Sequence, residues 1–282
     1  MQSNSLRTRK AVSRLVKVLA TLSAVIGLVA LIWILMTVVS RGIGSLNFEF
    51  FTELPTPPGM SGGGLANAIA GTLVMTVIAA ATAIPIGMLA GTYLSEVGKG
   101  TGMAEFIRLV NNIMIGVPSI IIGIFIYVLI VVPMKGFSGL AGAVALAVIM
   151  LPIVVRTTED MLTLVPDSIR ESALALGASR WRTTFDIVYR AAKNGLLTGV
   201  LLAVARVSGE TAPLLFTALN SSYWFSGLNE PMANLTVTIF NYAMSPYTDW
   251  QAKAWGASLL IMVSILALTV TSRFIMKRQG RQ

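Results

Sequence analysis

Apolar runs long enough to cross a bilayer recur along nearly the whole chain, and they restrict its fold more than any other feature. Six are read, at about 18–40, 67–94, 110–133, 138–156, 196–219 and 255–275. Each is close to the ~20 helical residues that span a ~30 Å hydrocarbon layer. The composition agrees, with 55% hydrophobic and only 12% charged residues over 282 positions and a mean hydropathy of +0.78. A soluble domain carries roughly twice that charged fraction. The expected fold class is an all-α membrane protein with six transmembrane helices.

The net charge of +9 reports orientation, because the basic residues are sorted by loop. All 21 except Arg41, Lys135, Lys253 and the mid-span Arg206 fall on one side: Arg7 to Lys17, Lys99 and Arg108, Arg156 to Lys193, and Arg273 to Arg281. The positive-inside rule then places both termini in the cytoplasm, and no nucleic-acid partner is needed to explain the charge. The run Val18–Val39 follows a basic stretch as a secretion signal would. It is longer than a signal core and no Ala-x-Ala site precedes Arg41, so it reads as a retained anchor. The turn-rich stretch from Leu54 to Gly64 divides that helix from the rest. The expected organisation is an N-terminal part at 1–66, a five-helix core at 67–275 and a tail at 276–282.

Cysteine and histidine are both absent. Disulfides, thiolate or imidazole metal sites and Ser-His-Asp catalysis are therefore excluded, and neither a catalytic residue nor a metal or cofactor is expected. Against this apolar background Arg206 and Glu210 stand within the run 196–219. A charge at mid-bilayer costs on the order of 3 kcal/mol and usually marks a pathway. The i, i+4 spacing puts the two on one helical face, provided the helix is continuous. Mutual neutralisation inside a bundle is the plainer reading, although an apolar pair would serve stability equally well. Gly209 and Pro213 are placed to kink the helix beside them. The candidate pathway residues are Arg206, Glu210 and Thr211, with Arg156 at the cytoplasmic end of the fourth span as an exit residue or a snorkelling helix end.

The cytoplasmic loop from Pro166 to Arg182 predicts two short amphipathic helices. Ser168 with Glu171 reads as a capping box and Gly177 as a C-cap. Ile169, Ala173 and Leu176 share one apolar face, and Trp181, Phe185 and Val188 another. Physical reasoning leaves two uses open, a docking ledge or helices lying on the acidic inner leaflet with membrane lipid as partner.

Glu171-Ser172-Ala173, three residues, Gly177, and Ile187 after nine more resemble the Glu-Ala-Ala loop of permease subunits of bacterial ABC importers. The run Leu201–Ala218, the stretch Leu235–Tyr247 with Asp249-Trp250, and Arg156–Glu159 are similar to the phosphate-importer branch of that family. Ser172 departs from the usual alanine, and Tyr189-Arg190 stands where many importers have Leu-Pro, which lets the second loop helix run farther.

The resemblance implies a type I importer permease fold in the bacterial inner membrane. It also implies a coupling helix, with Glu171, Ser172, Ala173 and Gly177, that seats on an ATPase. The implied partners are a PstC-like permease, two copies of a PstB-like ATPase, a PstS-like periplasmic phosphate-binding protein, phosphate, and an accessory phosphate-signalling regulator. ATP hydrolysis falls to another chain, since Gly98-Lys99-Gly100 is no phosphate-binding loop. Another oxyanion, or a gradient-coupled secondary carrier, is the alternative, and it too would use intramembrane Arg and Glu.

The aromatic segment Asn220–Ala254 either caps the pore and receives the binding protein or forms an interfacial belt. Asn234-Leu235-Thr236 within it matches a glycosylation acceptor, a pattern that is often accidental.

Because the chain has no cysteine, single substitutions test the orientation cleanly. Ser226→Cys should react with an impermeant maleimide on intact spheroplasts, whereas Ser172→Cys should react only after permeabilisation. The reverse pattern would invert the topology.

Overall fold

A computed structural model describes residues 2–279, with side chains described at 9, 10 and 12–271. Of the basic residues that set the expected orientation, the side chains of Arg7, Arg273, Lys277 and Arg278 lie outside the described ones, and Arg281 lies outside the described residues.

The described residues form helices and connecting turns only: α1 (Gln2–Gly42), α2 (Ala66–Val97), α3 (Gly102–Gly116), α4 (Ser119–Met134), α5 (Gly139–Thr163), α6 (Asp167–Ala175), α7 (Arg180–Ser208), α8 (Ala212–Thr217), α9 (Leu235–Ala243) and α10 (Thr248–Gln279). A one-turn helix, Phe48–Thr52, precedes α2. Five helices are long and apolar enough to cross a membrane, or six if α3 and α4 count as one bent span.

The centre is the parallel pair α2 and α5, which small residues let approach closely. A Cβ on Gly91 would stand 2.6 Å from Thr158 Cβ and 2.7 Å from the Val155 carbonyl, and one on Gly87 would stand 2.8 Å from Val154 Cβ. Met75, Ala79, Leu146, Met150 and Val154 fill the core around this pair, joined by Ala203 and Val207 of α7 and Leu214 of α8. α1 meets the rest of the chain mainly along α10, and the apolar face it turns outward suits lipid.

Three sequence expectations are corrected. The third run does not cross as one straight helix, since α3 and α4 meet at 102°. Pro118 lacks an amide hydrogen and restricts Val117 to an extended conformation (φ −72°, ψ 128°), which the α-helix cannot absorb. The second loop helix is not separate, because α7 runs from Arg180 through the π-helical segment Thr183–Val188 to Ser208. Nothing like the Leu-Pro of other importers interrupts it there. Ser168 is not a helix cap either. The helix begins one residue earlier, after Pro166, whose fixed φ is already compatible with a helix start.

Gly177 does close α6, at φ +85°. Ala178 N donates to the Ala173 carbonyl at 3.1 Å and Gly177 N to that of Leu174 at 3.0 Å, the paired bonds of a Schellman ending. The segment 220–254 is structured, with α9 inside it. Asn234 caps α9 by accepting from Val237 N at 2.8 Å and is 1% exposed, which rules out the glycosylation reading. Burial among these elements pushes the Tyr242 phenol up to about 12.

Gly91→Val should lower the unfolding temperature in detergent, since overpacking a close helix contact costs about 1–3 kcal/mol. Gly27→Val, with no atom within 4 Å of the added Cβ, should leave it unchanged. Equal effects would contradict the α2–α5 packing.

Candidate functional site

Two interrupted helices build the site. α7 ends at Ser208, and Gly209, Glu210 and Thr211 separate it from α8. Pro213 has no amide hydrogen to continue the ladder, and its ring excludes the carbonyl four residues back, so the chain leaves the helix before it. The freed groups find local partners. Gly209 N donates to Arg206 O at 3.3 Å, Glu210 N to Val207 O at 3.1 Å, and the Glu210 carbonyl accepts from Thr236 Oγ1 of α9 at 2.7 Å.

The expectation that Arg206 and Glu210 share one continuous helical face fails here, because the helix stops between them. Among the described residues no ion pair joins them, and Arg206 has no acidic partner within 4.0 Å.

α8 packs against α4, the second arm of the other broken span. Their backbones nearly touch: a Cβ on Gly123 would lie 2.6 Å from Pro213 Cα. Non-helical backbone at membrane depth is tolerated where protein or a water-filled cavity surrounds it. Both breaks meet that condition.

Beside the breaks lies a cavity of about 480 Å³. It is walled by residues of α3 and α4 on either side of the turn Val117-Pro118, by Ile149, Ile153, Arg156 and Thr157 of α5, and by Arg206 of α7. Arg156 and Arg206 are the two charged residues among its walls, and Ser119 and Thr157 add hydroxyls. Glu210 and Thr211 are not among its walls and stand in the adjoining break. Arg156 has an ionic partner, its Nε 3.0 Å from Asp160 Oδ2 one helical turn on, and both side chains are about half exposed. Glu159, the other acid near Arg156 in sequence, turns away and pairs with Arg108 Nε at 2.6 Å. Arg206 is exposed within the single chain and carries its charge unopposed. Two guanidiniums opening on one cavity whose walls hold no carboxylate make a site for an anion.

The sequence singled out both arginines without showing that they meet. Ser119 and Thr157 carried no local signal, whereas the i, i+4 spacing of Arg156 and Asp160 could have identified that pair. No group of three or more potential metal ligands occurs among the described residues.

Of the predicted coupling residues, Glu171, Ser172 and Ala173 lie on α6 and Gly177 in the turn that closes it. Ala173 is buried, whereas Glu171, Ser172 and Gly177 are exposed, as is Leu176 at 89%. Trp181, Phe185 and Tyr189 form an aromatic row along the start of α7, the first pair tilted and the second stacked, with ring centroids 4.1 and 5.0 Å apart.

Comparison with known proteins agrees with this architecture. The family described as binding-protein-dependent transport system inner membrane component matches residues 83–281. Proteins named phosphate transport system permease protein PstA are similar over nearly the full chain. The one from Haemophilus influenzae is 48% identical over 96% of both chains, and the one from Yersinia pestis is 47% identical over 96% of this chain and 92% of its own. The Pasteurella multocida protein is 43% identical over the whole length of both. Among solved structures, inward-facing forms of the MetNI methionine ABC transporter share the fold. Their TM-scores are 0.59 and 0.61 at 20% and 18% identity, covering 77% and 76% of this chain and 94% and 95% of theirs. A multi-pass chain of this fold, matched over most of its length, belongs to the binding-protein-dependent inner membrane components of ABC importers.

Proposed function

We propose that the chain is the permease subunit of an ATP-driven importer of inorganic phosphate, with Arg206 and Arg156 supplying charge along the phosphate path. The observation that carries this reading is the cavity at the paired helix breaks, into which two arginines open and where Arg206 has no acidic partner. The full-length likeness to phosphate transport permeases supports the choice of solute.

A phosphate mono- or dianion leaves water only where charge and hydrogen bonds replace its hydration. The Arg206 guanidinium is always charged and presents a planar set of donors to phosphate oxygens. Arg156, tempered by Asp160, holds the anion less strongly and suits a release position. Hydroxyls of Ser119 and Thr157 line the way between them. Glu210 and Thr211, in the unwound residues beyond α7, form the adjoining stretch of path. There the Glu210 carboxylate accepts the P–OH of protonated phosphate and repels sulfate, which carries no proton at neutral pH.

On this reading both termini are cytoplasmic, and residues 67–275 form the transporting core behind one added N-terminal helix. A PstC-like permease completes the pathway, two PstB-like ATPase subunits hydrolyse ATP, and a PstS-like protein delivers phosphate from the periplasm. One ATPase subunit seats on α6 at Glu171, Ser172, Ala173 and Gly177, and the exposed Leu176 and Trp181 support that docking use. The chain itself is a transport subunit, and a phosphate-signalling regulator approaches the same cytoplasmic ledge.

Arg206→Gln should reduce phosphate uptake by about 100-fold, the equivalent of roughly 3 kcal/mol for charge-assisted hydrogen bonds, while the ATPase still copurifies. Arg206→Lys should retain part of the uptake. Normal uptake by an assembled Arg206→Gln complex would refute the role. Collapse of the ion gradient should leave wild-type uptake intact, whereas ATP depletion should abolish it, and the opposite result would favour a secondary carrier.

A further inference from the structure

Away from the cavity, the end of the molecule that bears α6 is held by an ion pair that phosphate passage does not use. Glu96 lies in the π-helical turn Tyr93–Val97 with which α2 ends, and Arg170 lies on α6. Arg170 Nη2 approaches Glu96 Oε1 at 2.7 Å and its Nε approaches Oε2 at 3.1 Å, a two-point clamp whose side chains are only 11% and 9% exposed. The same guanidinium donates to the Leu162 carbonyl at 2.8 Å in the last turn of α5, to that of Val165 just beyond it, and to Asp167 Oδ1 at 3.1 Å. One planar cation therefore binds the ends of α2 and α5 to α6.

A second tie falls on the same turn. The Tyr189 hydroxyl lies 2.6 Å from Thr92 Oγ1, joining α7 to the last residue before the π-helical turn. Lysine, a point charge on a flexible stem, does not reproduce this fork. Nor does stability explain the pair, since a buried ion pair is generally no better for stability than apolar residues of the same volume. π-helical turns recur at functional positions.

We propose that the Glu96–Arg170 clamp is a positioning element that makes α6 and the end of α2 move as one body, so that force applied to α6 reaches the packed α2–α5 pair and, through α5, Arg156 at the cavity. This rests on the importer reading given above. Without the Glu96 contact, α6 follows the ATPase together with the end of α5 while α2 stays behind, the packed pair no longer moves as a unit, and ATP is hydrolysed without matching transport.

The test uses the full complex of this chain with its permease and ATPase partners, the other subunits being made cysteine-free. Spin labels go on Val97→Cys and Ala175→Cys, two exposed positions on either side of the clamp. The clamp predicts one narrow distance that is the same without nucleotide and with ATP trapped. In Glu96→Gln, which leaves the bonds of Arg170 to α5 in place, it predicts a distribution that broadens or shifts when ATP binds. In the unlabelled complex, ATP hydrolysed per phosphate taken up should rise at least about tenfold in Glu96→Gln and in Arg170→Lys, with ATPase activity retained.

An unchanged distance and an unchanged ratio in assembled variants would overturn the proposal. Failure of both variants to assemble with the ATPase would overturn it too, by making the pair a requirement of folding. The distance measurement needs no transported solute. If the wild-type complex hydrolyses ATP but takes up no phosphate, the substrate reading fails, while a distance that broadens only in Glu96→Gln supports the clamp.

Discussion

Backbone polar groups released inside a membrane must find partners within the protein, and the way this chain meets that demand determines where its site lies. Pro118 and the Gly209–Pro213 segment each break a helix that would otherwise span. A break exposed to lipid would leave unpaired amides and carbonyls at a cost of several kcal/mol each. Here the two broken spans are brought together at Gly123 and Pro213, Thr236 on α9 caps the Glu210 carbonyl, and the space beside them is a cavity. Charge follows the same rule. Arg206 is affordable at the end of α7 because it opens on that cavity.

The molecule divides into a tightly tied end and an open middle. At the α6 end, Arg108 and Arg170 are held by Glu159 and Glu96 and also reach backbone carbonyls of Leu94, Leu162 and Val165. In the middle, Arg206 has no ionic partner and Arg156 has only a half-exposed one. Rigid coupling at the α6 end and positive charge with little ionic opposition at the cavity are what an energised anion path requires. On the proposed reading, the ion pairs near the ledge transmit force and the arginines at the cavity accompany solute.

Much of this was legible in the sequence, unevenly. Arg206 stood out because a charge in an apolar run has no local reason to be there, and Gly177 because a helix end needs a left-handed residue. The kink at Gly209 and Pro213 was visible. Its consequence for Glu210 was not, since spacing on a helical wheel presumes a helix. Pro118 resembled Pro85 and Pro152, which sit inside continuous helices, so the residue alone did not reveal the 102° bend. A better signal lay upstream: Glu105, Arg108, Asn111 and Asn112 make α3 too polar for a simple crossing, and Asn111 is spent on the Pro152 carbonyl of α5. The Glu96–Arg170 pair was invisible, because 74 residues separate its members and only the tertiary fold brings them together.

The central claim is that the cavity between Arg156 and Arg206 is the anion path, and a cysteine placed in its wall tests this most directly. Ile153 lines the cavity and the chain has no other thiol, so Ile153→Cys in the assembled complex reports on that space alone. The account predicts that a negatively charged methanethiosulfonate reagent modifies Ile153→Cys faster than a positively charged one of similar size, and that phosphate slows the reaction during turnover whereas sulfate does not. Equal rates for the two charges, with no protection by phosphate, would contradict it.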